Sequence, residues 1–359
     1  MSSKILDIHL SNILDKMRIL YIILFLTTVN VALGQTLQGV VYDETTKEPL
    51  ADVTVYLDGT AIYTTTNKKG EFKLNVNRII NTQLIINHIG YELVTIANPF
   101  EEIPNKFYLK EKPNILDEAI IVTDKFTREE KLKAFREQFL GKTKAGKLCR
   151  ILNEDEIKFT YNLKDNSFSA KCNTPVYLKY KVYFNLLNFD VIYNSYTLDY
   201  DKAKQSSYYG TSQFIDLKPE DKRTEKRRAE IYIQSSSNFF KNLVNHSLKE
   251  NDLQVFNKGF MVDPYYYFTI KDTLSQKMLV INPETNIDRL VFGLKVPVYG
   301  KLSVLYKKKA QSEIIWLAPS VLIDSYGNYS PVKNIYFMGQ FGLQRLGNML
   351  PLDYTLSNK

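Results

Sequence analysis

Between positions 36 and 109, apolar and polar residues alternate in short runs, with a turn-forming residue about every eight to twelve positions. That is the pattern of an antiparallel β-sandwich. Leu37, Gly39 and Val41 share one face of the first run. In the second, Val53, Val55 and Leu57 point one way, and Thr54 and Tyr56 the other, because successive strand side chains alternate. Asp58-Gly59 and Asn67-Lys68-Lys69-Gly70 read as turns, where glycine takes positive φ at little cost. Phe72, Leu74 and Val76 resume the apolar face, Gly90 marks a bend between runs at 83–87 and 91–96, and 107–109 closes the unit. The expectation is a seven-stranded antiparallel β-sandwich over 35–110.

Several of these residues carry a resemblance. Gly39-Val40-Val41-Tyr42-Asp43, Glu48-Pro49-Leu50-Ala51-Asp52-Val53-Thr54-Val55, Gly59-Thr60, Thr64 to Thr66 and Gly70-Glu71-Phe72 stand in an order that resembles the carboxypeptidase regulatory-like domain. The resemblance implies a transthyretin-like fold and a protein of the Gram-negative envelope, since related modules precede many TonB-dependent outer-membrane receptors. It implies no peptidase activity, because the domain is an accessory module in the enzymes that gave it its name. The segment ending in Leu116-Asp117-Glu118-Ala119-Ile120-Ile121-Val122-Thr123 is similar to the extended stretch that follows this module in receptors. A chain of 359 residues nevertheless leaves no room beside it for a transporter barrel of about 22 strands. A linker over 111–126 is expected.

The length suits two or three folding units, since single cores stop growing near roughly 250 residues. A bias of 25 Tyr and 20 Phe against one Trp favours pleated, half-buried surfaces, so the remainder, 127–359, reads as a larger β-rich α+β domain. The fold class is mainly β. One helix stands out over 127–140: Thr127 with Glu130 forms a capping box, Leu132, Phe135 and Phe139 share a face, and Gly141 supplies the stop. A helical interlude is expected over about 220–248, with Phe239, Phe240, Leu243 and Val244 as its apolar face. Strands are expected at 157–163, 168–172, 177–187, 191–200, 208–217, 260–270, 278–281, 290–298, 302–306, 314–323 and 335–341. The stretch 135–161 and the closing Arg345-Leu346-Gly347-Asn348-Met349-Leu350-Pro351-Leu352-Asp353-Tyr354 resemble an uncharacterised second domain of secreted carboxypeptidase-regulatory-like proteins. That resemblance implies architecture only.

At the amino terminus, Lys16 and Arg18 precede an apolar run at 19–33 and then Gly34, the pattern of a secretory signal. Residues 1–34 are read as a signal peptide cleaved after Gly34, with Met17 as the start if residues 1–16 are an upstream extension. Thr27, Thr28 and Asn30 interrupt the run, which is shorter than the roughly 20 residues that span a bilayer. Export permits a disulfide, and Cys149 with Cys172 would close a loop worth about 3 kcal/mol. The other reading is two thiols packed as small hydrophobes.

Catalytic constellations are missing from the sequence. The mature part contains His88 and His246, with no His-Glu-x-x-His and no spaced ligand cluster; both read as packing or surface residues. No Gly-x-Ser-x-Gly elbow occurs. Glu154-Asp155-Glu156 could serve acid-base work or bind Ca²⁺, and a solvated turn is the plainer reading. The basic runs 222–228 and Lys307-Lys308-Lys309 read as a salt-laced helix face and a hairpin turn, though they could touch anionic lipid or acidic glycan. Tyr208-Tyr209 and Tyr265-Tyr266-Tyr267-Phe268 could stack on sugars or fill an interface, or pack across strands. No catalytic residue, metal or cofactor is expected.

The net charge of +8, from 47 basic and 39 acidic side chains, is spread along the chain. Export removes nucleic acid as a target. The functional expectation is therefore a non-catalytic exported protein of the periplasm or outer membrane, a binding or scaffolding module. Its partner would be a protein or envelope component, with peripheral membrane association allowed. The alternatives are a small outer-membrane β-barrel carrying a periplasmic sandwich, and a hydrolase of unrecognised type.

Overall fold

A computed structural model describes residues 35–101, 103–112, 125–179, 182–215, 221–273, 275–282, 289–291 and 294–356. The leader expected over 1–34 and most of the linker, 113–124, lie outside them. The described strands divide among six sheets, which gather around three apolar cores.

The first core belongs to the sandwich. Strands β1 (Gln35–Asp43), β2 (Thr54–Leu57), β3 (Tyr63–Thr65), β4 (Glu71–Val76), β5 (Leu84–Asn87), β6 (Val94–Ile96) and β7 (Lys106–Leu109) form two sheets, ordered β4-β1-β7 and β3-β2-β5-β6. The alternation seen in sequence becomes burial: Phe72, Leu74 and Val76 point inward and their neighbours outward. One pairing departs from the antiparallel expectation. β7 runs parallel to β1, from Val40 opposite Lys106 to Asp43 opposite Leu109. The chain leaves the second sheet after β6 and crosses back to the first, so it re-enters in the direction of β1.

The second core lies under a helix. α1 (Arg128–Leu140) starts on the expected capping box: Thr127 Oγ1 accepts the Glu130 N–H, and a Glu130 carboxylate oxygen accepts the Thr127 N–H at 2.7 Å. Gly141 ends it at φ 88°, and the short α2 (Lys144–Leu148) follows. Strands β8 (Lys158–Asn162), β9 (Ser167–Lys171), β10 (Val176–Leu178), β11 (Val182–Tyr193) and β12 (Ala203–Phe214) make the sheet. β10 and β9 share one edge of β11, and β12 takes the other. Phe135 and Phe139 of α1 meet Phe189 at ring separations of 4.8 and 6.4 Å. The gap expected in this strand near 188–190 does not occur. A register shift between Leu186 and Asn188 leaves Leu187 exposed, so the strand continues through a bulge.

The helical interlude is two helices, α3 (Lys222–Tyr232) and α4 (Ser236–Val244). Phe239, Phe240, Leu243 and Val244 are all buried in the third core. Strands β13 (Leu253–Asn257), β14 (Phe260–Val262), β15 (Phe268–Asp272), β16 (Lys277–Ile281), β17 (Arg289–Val291), β18 (Leu294–Val296), β19 (Gly300–Tyr306), β20 (Ala310–Trp316), β21 (Ser320–Ile323), β22 (Tyr329–Ser330) and β23 (Ile335–Met338) follow, with α5 (Gly339–Gly342) last. They form sheets β14-β13-β19-β20-β23 and β15-β16-β21-β22 and the hairpin β17-β18. Trp316 sits between Phe240 and Phe268, 5.7 and 5.3 Å away.

Three expected strands are interrupted here. The run 260–270 breaks where Asp263 caps a turn at Pro264–Tyr266, since proline lacks the N–H a ladder needs. The run 314–323 is two strands of different sheets. The run 335–341 stops at Met338, before Gly339 at φ 64°. No helix among the described residues is long and apolar enough to cross a membrane.

Candidate functional site

The three cores meet at one junction, built on the turn after β2. Gly59 N–H donates to the Ser212 carbonyl at 2.7 Å, and Phe214 N–H donates to the Thr60 carbonyl at 2.9 Å. Asp58 Oδ1 accepts the Ser212 N–H at 2.7 Å. A sandwich turn thus extends the end of β12. Its other side is held by the carboxy-terminal segment: Leu352 N–H donates to the Gly59 carbonyl at 2.8 Å, and Ala61 N–H donates to Asp353 Oδ1 at 3.2 Å. Gly59 stands at φ 72°, with the Leu352 side chain 2.9 Å from where a Cβ would be, a conformation that favours glycine.

The third core joins through the turn at 324–328. Asp324 accepts the Tyr326 and Asn328 N–H groups and, at 3.0 Å, the Asn81 N–H of the sandwich. Asn328 Nδ2 donates to Asp324 Oδ2 at 3.0 Å and to the Leu352 carbonyl at 2.8 Å. Tyr326 and Leu352 pack into the sandwich core. Burial pushes the carboxyls of Asp58, Asp324 and Asp353 above their ordinary value, more than their hydrogen bonds lower it.

Beside this junction lies a cavity of about 260 Å³. Tyr208 of β12, Tyr232 of α3, Tyr326 and Tyr354 supply aromatic wall, and Arg345 and Asn348 supply polar groups. The Tyr232 and Tyr354 rings are 5.4 Å apart at 60°, and Tyr354 donates its hydroxyl to Glu225 of α3 at 2.9 Å. Burial pushes the Tyr232 hydroxyl up to about 12. It raises Tyr208 as well, against a smaller lowering effect of the Arg345 charge. Close approach fixes this segment, since a Cβ on Gly347 would meet the Leu140 carbonyl oxygen and the Gly146 Cα, both at 2.5 Å.

Arg345 is one of seven described side chains that bury a polar atom without a hydrogen-bond partner. Its Nε is buried and has no hydrogen-bond partner, and the side chain forms no ion pair with the described residues. A buried donor left without a partner costs about 1–3 kcal/mol, and such groups in native structures call for an explanation. Arg345 also lines the cavity.

The residues singled out in the sequence are placed elsewhere. His88 follows β5 and meets Tyr91 edge-on at 5.1 Å, whereas exposed His246 lies past α4 at φ 57° and stacks on Tyr265 at 4.3 Å. Glu154 pairs with Arg136, and Glu156 accepts from Thr174; both are structural. Cys149 and Cys172 lie against the second core as free thiols, and burial pushes the Cys149 thiol up to about 11. Lys307 and Lys308 form the β19–β20 turn at positive φ. The run 222–228 lies on α3, whose end borders the cavity. Tyr208 lines the cavity while Tyr209 is exposed. Among the described residues no three of His, Cys, Asp and Glu are grouped to hold a metal.

Sequence reasoning noticed 345–354 only as a resemblance and missed its role in the lining. The available signal was an arginine followed by Leu-Gly-Asn after the last strand, where a charge has no periodic partner.

Residues 37–121 match the CarboxypepD_reg-like domain, so the sandwich carries the fold its sequence resembles. No curated protein matches the chain. Among solved structures, a Bacteroides fragilis protein described as a candidate membrane-associated protein of unknown function is similar at 14% identity. The match covers 85% of this chain and 94% of that one, with a TM-score of 0.17.

Proposed function

We propose that this chain is a non-catalytic, exported envelope protein whose CarboxypepD_reg-like domain braces a binding site lined by the rest of the chain. The carrying observation is the junction cavity: the sandwich turn at 58–61, the end of β12 and the segment 348–354 are bonded into one frame, beside which lies a space of about 260 Å³. That size is just below the usual small-molecule range, which begins near 300 Å³. A few polar groups among aromatic walls are what such sites use for orientation. The signal-like pattern of 1–34 supports export, and the accessory nature of related modules supports binding rather than turnover.

The test is ligand-observed NMR screening of the mature chain against polar fragments, repeated with Leu350→Trp, which places a large ring in the lining. Hits lost in the folded variant support the reading. No hits, or hits indifferent to the variant, would remove the cavity as the site.

A further inference from the structure

We infer that the junction cavity takes an acidic sugar residue, with the sugar carboxylate on Arg345 and the ring against the tyrosine wall. The inference rests on the binding reading above and adds the ligand's chemistry.

The acid follows from Arg345. A guanidinium has five N–H donors in a planar fork and accepts nothing, and a carboxylate matches that fork with two parallel bonds. Arg345 lines the cavity and makes no ion pair with the described residues, so its guanidinium is not already committed to an acid. The carboxylates around the cavity are already committed. Asp324 accepts from Tyr326, Asn328 and Asn81, Asp353 accepts from Ala61, and Glu225 accepts from Tyr354. The helix that contributes Tyr232 carries the net-positive run Lys-Arg-Thr-Glu-Lys-Arg-Arg over 222–228, and a net-positive field draws anions toward it.

The sugar follows from the rest of the wall. Tyrosine rings offer an apolar face with a polar edge, and Tyr232 and Tyr354, in contact at 5.4 Å and 60°, make one angled aromatic wall on which a sugar ring can pack. Gln344 and Asn348 also line the cavity; with Gln344 Nε2 on the Gln234 carbonyl and Asn348 Oδ1 accepting from Thr143, an amide oxygen and an amide NH2 are left that can pair with hydroxyls. The volume of about 260 Å³ fits one ring rather than a chain.

The experiment is titration of the mature chain with D-glucuronic acid, D-glucose, acetate and inorganic phosphate, followed by calorimetry and NMR, on the wild type, Arg345→Gln and Leu350→Trp. The expected result is that glucuronic acid binds about tenfold or more tightly than glucose and than either small anion. Arg345→Gln should remove the preference over glucose, and Leu350→Trp should remove binding. Equal affinity for glucuronic acid and glucose would overturn the acid while leaving the cavity reading intact. Equal affinity for glucuronic acid and acetate would overturn the sugar. Fragments that bind at the cavity without any of these four ligands binding would overturn the inference alone, and no binding by any molecule would sink the cavity reading with it. If Arg345→Gln fails to fold, the wild-type comparison of acid with neutral sugar decides.

Discussion

The Tyr56 hydroxyl lies 2.9 Å from Thr211 Oγ1 across 155 positions of sequence, and Asn185 Nδ2 donates to both oxygens, at 2.9 and 3.1 Å. This buried triad ties the outer face of β2 to the long hairpin β11–β12. Burial pushes the Tyr56 phenol up to about 12. Tyr56→Phe should therefore destabilise the chain by about 1–3 kcal/mol, and adding Thr211→Val should cost less than the sum of the two single changes. Denaturant unfolding of the two single variants and the double variant checks this. Strict additivity would mean that the two hydroxyls do not work together.

Acid carboxyls at the junction make stability depend on pH in an unusual direction. Asp58, Asp324 and Asp353 have folded pKa values above the unfolded one, about 3.8. The folded state therefore keeps their protons to a higher pH than the unfolded state does. As pH rises from about 4 through the folded values, these groups withdraw stability. Asp43 and Glu130, lowered by hydrogen bonds to Thr46 and Thr127, act oppositely: their contribution is present above the ordinary value and is lost as pH falls through the folded one. The difference in stability between wild type and Asp324→Asn isolates one junction carboxyl. It should fall as pH rises from 4 and then level off, and a difference that grew with pH would contradict the burial.

The thiols offer a third check. Burial pushes Cys149 up to about 11 and raises Cys172 as well, so both remain protonated at neutral pH, and the thiolate is the reactive form. Iodoacetamide at pH 7.5 should modify them far more slowly in the folded chain than in urea, the rate rising with pH. Two alkylated sites after unfolding without reductant are expected; none would mean that the pair is oxidised.

What the sequence discloses and what it hides have physical reasons. Phe72, Leu74 and Val76 are legible because a strand with one buried face leaves a period of two, and Thr127 with Glu130 because a capping box is local. The parallel partner of β1 is not, since direction depends on where a crossover ends. Nor is the continuity of β11 through Leu187, where the bulge disguises the alternation. The cavity is the least legible feature. Tyr208, Tyr232, Tyr326 and Arg345 come from a strand, a helix, a turn and the final segment, and each satisfies a plain local reading. Only the packing of three cores makes them neighbours.

The measurement that bears most directly on a fixed junction is native-state hydrogen exchange at the amides of Gly59, Ser212, Phe214 and Leu352 in the full mature chain. These N–H groups are bonded across the junction, so they should exchange about as slowly as the amides inside β11 and β12. Fast exchange at Gly59 and Leu352, alongside slow exchange inside the sandwich strands, would mean that the sandwich swings free of the rest and that no fixed cavity exists.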